Sequence, residues 1–296
     1  MLPFKSALAA VVLTGGLAAA GAASAAFDYD NCTGFIDSLP ATITTQGTWC
    51  LRKDLNTAQT YGAAINIATN NVTLDCNDFR IGGMPAGPGT FATGVEASGR
   101  LNATVRHCNI RGFQSGLRLG GAPSGGHVVE NNRLDGNTVY GLVVGGDGSI
   151  VRGNQIRNTG GAVPAVGFAY GISTMFNVDV IDNTVNTVYS EPEEGTAGSN
   201  AGGIVIDFNV GGVIRGNRLR WIGGGGVTSS VFALVTDNSD RVTIEDNDVV
   251  GPWVEGPGRY GIACNGPNAA QQRAKDNIVN GFDEPLEGCR DDGNSL

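Results

Sequence analysis

Apolar and polar residues alternate in short runs along this chain, and no stretch keeps its apolar residues at helical spacing. The segments VTLDCNDF (72–79), TVRHCNI (104–110), VVENNRL (128–134), IVRGNQI (150–156), DVIDNTV (179–185), VIRGNRL (213–219), TIEDNDV (243–249) and RAKDNIV (273–279) share one pattern. Each places an aliphatic or small residue, two variable positions, an Asn, one variable position and a further apolar residue. The Asn column reads Asn77, Asn132, Asn154, Asn183, Asn217, Asn247 and Asn277, and Cys108 replaces Asn once. A second element precedes each later copy, a Gly leading a short alternating run: TGVEA (93–97), SGLRL (115–119), YGLVV (140–144), YGIST (170–174), GGIVI (202–206) and YGIAC (260–264). In the seventh unit FALVT (232–236) takes its place, with Ala233 at the Gly position. Alternation over so few residues predicts strands.

One such unit is three short strands joined by bends. It cannot bury its apolar face alone, whereas stacked units enclose a continuous interior. The expected fold is all-β, a single-stranded right-handed parallel β-helix of about eight rungs, some 40 Å long at about 4.8 Å per rung. Asn suits the bends because it tolerates the left-handed conformation, and stacked amides can pair from rung to rung. Residues 26–70 are expected to form an N-terminal cap with entry strands, residues 71–280 the solenoid, and residues 281–296 a C-terminal tail tethered by a disulfide. Both ends would then shield unpaired sheet edges. Long insertions at 80–92, 186–201, 220–231 and 250–259 all fall between the post-Asn strand and the Gly-led strand. They predict one decorated edge.

Composition narrows the setting. Lys5, the apolar stretch Ala7 to Ala20 and Ala23-Ser24-Ala25 read as a secretory signal peptide over residues 1–25, so a secreted or periplasmic protein is expected. Lys5 is the leader's one charged residue, so without it 18 basic residues stand against 28 acidic ones, a net charge of −10. That balance disfavours nucleic acid, anionic lipid and, without a bridging divalent cation, a polyanionic glycan, and no later stretch is apolar enough to insert in a membrane. The six cysteines fit an oxidising compartment. Locality favours Cys32–Cys50 and Cys264–Cys289, leaving Cys76–Cys108 as the remaining pair. A monomer is expected.

These features resemble the right-handed parallel β-helix superfamily of pectate lyases, polygalacturonases and alginate epimerases, and more closely its secreted β-helix repeat branch. The stretch Thr42–Gly83, in which a strand around Trp49 leads into VTLDCN, is similar to that branch's entry segment. The resemblance implies the fold and a polysaccharide partner, but this fold carries several chemistries. The Gly-His-Gly and in-rung Asp-Asp motifs of polygalacturonases are missing, as is the Asp-Pro-His-Glu block of the epimerases. The one adjacent Asp pair, Asp291-Asp292, lies in the tail.

Candidate chemistry follows from the register. Four residues after each strand-leading Gly stand Ser98, Gly120, Gly145, Met175, Asp207, Asp237 and Asn265, expected to face outward. Asp207 and Asp237 on adjacent rungs are candidate acid–base groups or ligands for calcium. Arg259 is the candidate proton abstractor of a lyase. Glu191, Glu193 and Glu194 are expected to overhang Asp207. Trp221, Trp253, Tyr140, Tyr170 and Asn265 would complete a sugar-binding platform. A polysaccharide lyase, a glycoside hydrolase and a non-catalytic solenoid that binds a glycan or a protein all remain open. His107 and His127 show no metal-ligand spacing and are expected to be structural.

Overall fold

The computed structural model describes residues 29–226, 229–251 and 258–296; the expected signal peptide, Trp253 and most of the 250–259 insertion lie outside them. Three parallel sheets wind around one apolar interior. In a typical rung the chain passes through Ala103–Arg106 in the first sheet, Asn109–Arg111 in the second and Ser115–Gly120 in the third. It then re-enters the first sheet at Val128–Glu130. Among the described residues the sheets hold 11, 9 and 10 strands respectively, so the stack has about ten rungs rather than eight. The additional strands come from the ends. Gly34–Ile36 pairs with Gly47–Leu51, Ala41–Ile43 pairs with Ala63–Ile67, and Arg290–Asp292 pairs with Arg273–Lys275. The first four precede the Asn signature, and the strand Arg290–Asp292 carries no aliphatic residue, which is why pattern alone stopped short.

Aliphatic side chains repeat in register up the inside of each sheet. In the third sheet Ile65, Val95, Leu117, Leu142, Ile172, Ile204, Leu234 and Ile262 stack rung on rung. All eight are fully buried, and each is worth about 1.5–3 kcal/mol against exposure. The strand-leading glycines serve a tight approach. A Cβ on Gly141 would sit 2.6 Å from the Ile156 side chain and 2.4 Å from the carbonyl of Gly171. Here the chain turns inward twice in succession, so Gly and the residue after it both face the core and strict alternation is broken.

The bend between the first and second sheets carries a buried amide ladder. Asn154 is typical: its backbone N–H and its Nδ2 both donate to Asn183 Oδ1, at 2.9 and 3.0 Å, while Nδ2 also donates to the Val129 carbonyl at 2.9 Å. The same arrangement runs through Asn132, Asn183, Asn217, Asn247 and Asn277. It continues to Asn294, which the repeat pattern did not include. There Asp291 Oδ1 accepts from both the backbone N–H and the Nδ2 of Asn294.

Two expectations about this column are corrected. Asn77 is not in the ladder: it is half-buried at φ 47°, and its Nδ2 reaches the Leu51 carbonyl. The inward position belongs to Cys76, which is bonded to Cys108, so a disulfide takes the ladder's place in its first two rungs. The column Asn residues from Asn132 onward are also not the left-handed ones. That conformation falls one residue earlier, at Asn131, Gly153, Asp182, Gly216, Asp246 and Asp276, types for which it is least costly. Cys32–Cys50 and Cys264–Cys289 form as expected, and three disulfides fit an oxidising environment. No helix among the described residues is long and apolar enough to cross a membrane.

Candidate functional site

The outer face of the third sheet presents three columns set by strand register. Near the starts of its strands stand Tyr140, Tyr170, Gly202, Phe232 and Tyr260 in consecutive rungs. Three residues on come Val143, Ser173, Val205, Val235 and Ala263. At the strand ends Met175, Asp207 and Asp237 lie side by side. The face is thus bounded by aromatic rings on one margin and carboxylates on the other, with small side chains between.

The aromatic margin is ordered by mutual packing. Tyr140, Phe168 and Tyr170 form a triangle with ring centroids 5.5–5.9 Å apart. Phe232 and Tyr260 stack at 4.9 Å with their planes 13° apart. Gly202 leaves room between the two groups, since a Cβ there would lie 2.9 Å from the Tyr170 ring. The Arg118 guanidinium sits 5.4 Å from the centroid of the Tyr140 ring. Burial pushes both phenols above the usual tyrosine range; for Tyr170, Tyr140 and then Asp237 push further the same way.

On the opposite margin Asp207 and Asp237 occupy adjacent rungs, so their backbones are about 4.8 Å apart. Asn265 Nδ2 donates to Asp237 Oδ1 at 2.8 Å, and Asn238 Nδ2 donates to Asp207 Oδ1 at 3.3 Å. Immediately beyond Met175 and Asp207, Phe176 and Phe208 both adopt left-handed backbone (φ 64° and 52°) and stack at 5.9 Å. About half of each ring's residue surface is open to solvent, 51% and 48%. Holding two large apolar side chains outward in a conformation unfavourable for them costs stability. Toward the N-terminal rungs the same face dips into a depression of about 280 Å³. It is bounded by Glu96, Arg118 and Met175, and its floor is left open by Gly120 and Gly145.

The structure brings Tyr140, Tyr170, Asp207, Asp237 and Asn265 onto this one face. It does not bring the insertions to the carboxylates. Asn200–Asp207 is an eight-residue strand with the insertion at its start and Asp207 at its end, roughly 23 Å away. Glu191 instead bonds the Tyr189 phenol and raises its pKa after the effect of burial. Glu193 closes a loop turn, its carbonyl accepting from the Thr196 N–H and hydroxyl, and Glu194 is exposed in the same loop. Trp221 lies in Arg218–Gly224 of the second sheet, 48% exposed at φ 59°. Arg259 begins its strand, about 20 Å along from the carboxylate margin. Among the described residues no three His, Cys, Asp or Glu side chains come together as a metal cluster. Asp207 and Asp237 supply two ligands, each already accepting an amide N–H, whereas calcium takes six to eight oxygens. The pair does not fit a calcium cage.

Phe232, Tyr260, Phe176 and Phe208 were not singled out from the sequence as binding residues. The first two were signalled, because each precedes the Gly position of its repeat just as Tyr140 and Tyr170 do. Both histidines are structural. His127 is fully buried, with Nδ1 accepting from the Ala103 N–H at 3.2 Å and Nε2 at 2.8 Å from Ser124 Oγ. His107 lies against Asp75, 3.2 Å from its Oδ1.

A profile described as "Right handed beta helix region" matches residues 93–281. Among solved structures the chain is similar to the Agl-KA catalytic domain, at 14% identity and a TM-score of 0.49, over 86% of this chain and 55% of that one. It is similar to the tailspike of E. coli bacteriophage HK620, solved with a pentasaccharide, at 12% identity and a TM-score of 0.49, covering 84% and 54%. The A-module of the Azotobacter vinelandii mannuronan C-5 epimerase AlgE4 aligns at 13% identity and a TM-score of 0.43, covering 81% and 78%. The chain therefore spans about half the length of the first and the second. No curated protein matches it.

Proposed function

The chain belongs to the right-handed β-helix family, and we propose that it is an exported protein that binds an extracellular or cell-envelope polysaccharide across the outer face of its third sheet. One observation carries the reading: aromatic rings and carboxylates stand in register on opposite margins of a single face, separated by small side chains. Rings offer flat apolar surfaces to pyranose faces. The carboxylates and Asn265 offer acceptors and donors to hydroxyls, and hydrogen bonds to charged groups are the stronger kind. A β-helix suits a polymer because its rungs present side chains about every 4.8 Å along one face.

A second reading rests on the register of Asp207 with Asp237. Carboxylates on neighbouring rungs are spaced for the pair of a retaining glycoside hydrolase, whose carboxyl groups lie about 5–5.5 Å apart. A lyase that uses Arg259 is less well supported, since that residue begins its strand at the opposite margin. The test is affinity electrophoresis and calorimetry against a panel of neutral and acidic polysaccharides, with reducing ends and unsaturated uronate followed in parallel. Binding that falls at least tenfold in Tyr170→Ala and Phe232→Ala supports the binding face. Product formation abolished in Asp207→Asn supports the hydrolase. A panel without binding, or binding indifferent to both aromatic substitutions, refutes the proposal.

A further inference from the structure

The second sheet carries its own polar cleft on the side away from the interior, and no residue of the third-sheet face lines it. The cleft encloses about 390 Å³. Its outstanding feature is a series of arginines, one per strand on four consecutive strands: Arg80, Arg111, Arg133 and Arg157. Register places them alternately in two columns. Arg80, Asn109, Arg133 and Gln155 form one; Gly82, Arg111, Asp135 and Arg157 form the other. The guanidinium-bearing positions therefore zigzag along the rod. Neighbours are about 8 Å apart on the diagonal, and members of one column about 10 Å apart, two rungs.

Structural ion pairing does not account for this series. Arg80 is held by Asp54 at 3.0 Å. Arg111, Arg133 and Arg157 are exposed, and among the described residues none of them forms an ion pair. Asp135 stands in register directly between Arg111 and Arg157, yet neither closes on it. Its Oδ1 instead accepts from Asn158 Nδ2 at 2.7 Å. Three guanidinium forks are thus presented to solvent at a regular spacing, on a chain whose net charge is −9.

We propose that this cleft is a second glycan-binding site, selective for an acidic oligosaccharide that bears carboxylates at intervals. Arginine's planar fork matches a carboxylate with two parallel hydrogen bonds. The interleaved Asn109, Gln155 and Asp135 suit the hydroxylated, uncharged stretches between carboxylates. A nucleic acid is the poorer match, because its unbroken phosphate backbone would meet Asp135 and the other aspartates of the cleft. The site is independent of the third-sheet face, since the two lie on different sheets of the rod.

The test is calorimetry on the protein with a hexameric oligogalacturonate, its methyl-esterified form and a single-stranded oligonucleotide, at low and moderate salt. The acidic oligomer is expected to bind and the ester to bind at least tenfold more weakly. Arg133→Ala/Arg157→Ala, both on exposed side chains, should weaken binding at least tenfold. Asp135→Asn keeps the acceptor for Asn158 while removing a charge between two arginines, and should tighten binding a few-fold. The proposal is overturned if the oligogalacturonate does not bind, if the arginine double variant binds it as well as the unaltered protein, or if the oligonucleotide binds equally tightly.

Discussion

The amide ladder yields the sharpest stability prediction, through Asn183→Ala. Asn183 is fully buried. Its Oδ1 accepts the backbone N–H of Asn154 at 2.9 Å, and its Nδ2 donates to the Val151 carbonyl at 3.0 Å. Truncation removes these bonds at once, and with them the Asn154 Nδ2 bond to the same oxygen and the Asn183 Nδ2 bonds to the Ile181 carbonyl and Asn217 Oδ1. The Asn154 N–H lies outside the strands and among the described residues has no other acceptor, and the Val151 carbonyl loses this donor. Each buried polar group left unpaired costs about 1–3 kcal/mol, so the substitution should cost roughly 2–6 kcal/mol. That is a large part of a total stability of about 5–15 kcal/mol. Asn183→Asp should be no milder, because a buried carboxylate would face Asn217 Oδ1 without the amide N–H that now bridges them. The control is Asn77→Ala, which loses one half-buried hydrogen bond at 3.1 Å and places Ala at φ 47°, and should cost about 1–2 kcal/mol. Urea unfolding followed by circular dichroism measures all three, with the midpoint shift read at constant slope. If Asn183→Ala costs no more than Asn77→Ala, the ladder is not a source of stability and the reasoning fails.

Three further outcomes are expected. Burial lowers the pKa of His127 below its ordinary 6.5, so its contribution is intact above pH 6.5 and is lost as pH falls through the folded value; His127→Gln should flatten the acid limb of a stability–pH profile relative to the unaltered protein. Removing the disulfide in Cys76→Ala/Cys108→Ala frees a loop of 32 residues and should cost about 3–4 kcal/mol in urea unfolding, with equal midpoints contradicting it. Phe176→Asn/Phe208→Asn places in both rungs the residue type that Asn238 supplies in the next; relief of left-handed strain, about 1–2 kcal/mol per residue, should offset the lost ring stacking, so that thermal stability holds while glycan affinity falls.

Much of this architecture is legible in the chain, and its failures have physical causes. Asn recurrence every rung identifies the ladder because a buried amide must pair with a neighbour of the same kind. The pattern misplaced the column at Asn77 since Cys76, one residue earlier, takes the inward position there. It missed Asn294 because the strand before it, Arg290–Asp292, has no aliphatic residue. The candidate site suffered from a different omission. Insertions and carboxylates both flank the third-sheet strands, but at opposite ends, and strand length separates them beyond side-chain reach. Pattern reports order along the chain; that separation depends on how far each strand runs. The arginine zigzag was hidden in the charge total, where 28 acidic residues outweigh a basic series confined to one face.

The ladder also has a direction. Every Asn oxygen points back toward the rung before it, so each unit receives from its predecessor and gives to its successor. At Asn294 that succession closes on itself, because Asp291 Oδ1 takes the place a next Asn would fill, and the amide bonds hold its carboxyl below the usual aspartate range. An ionised carboxylate thus serves as a terminator. Duplicating an interior rung would insert a unit with the same two ends and leave the series unbroken. A copy placed beyond Asn294 would first have to displace a charge, so adding a rung inside the solenoid disturbs less than adding one against Asp291.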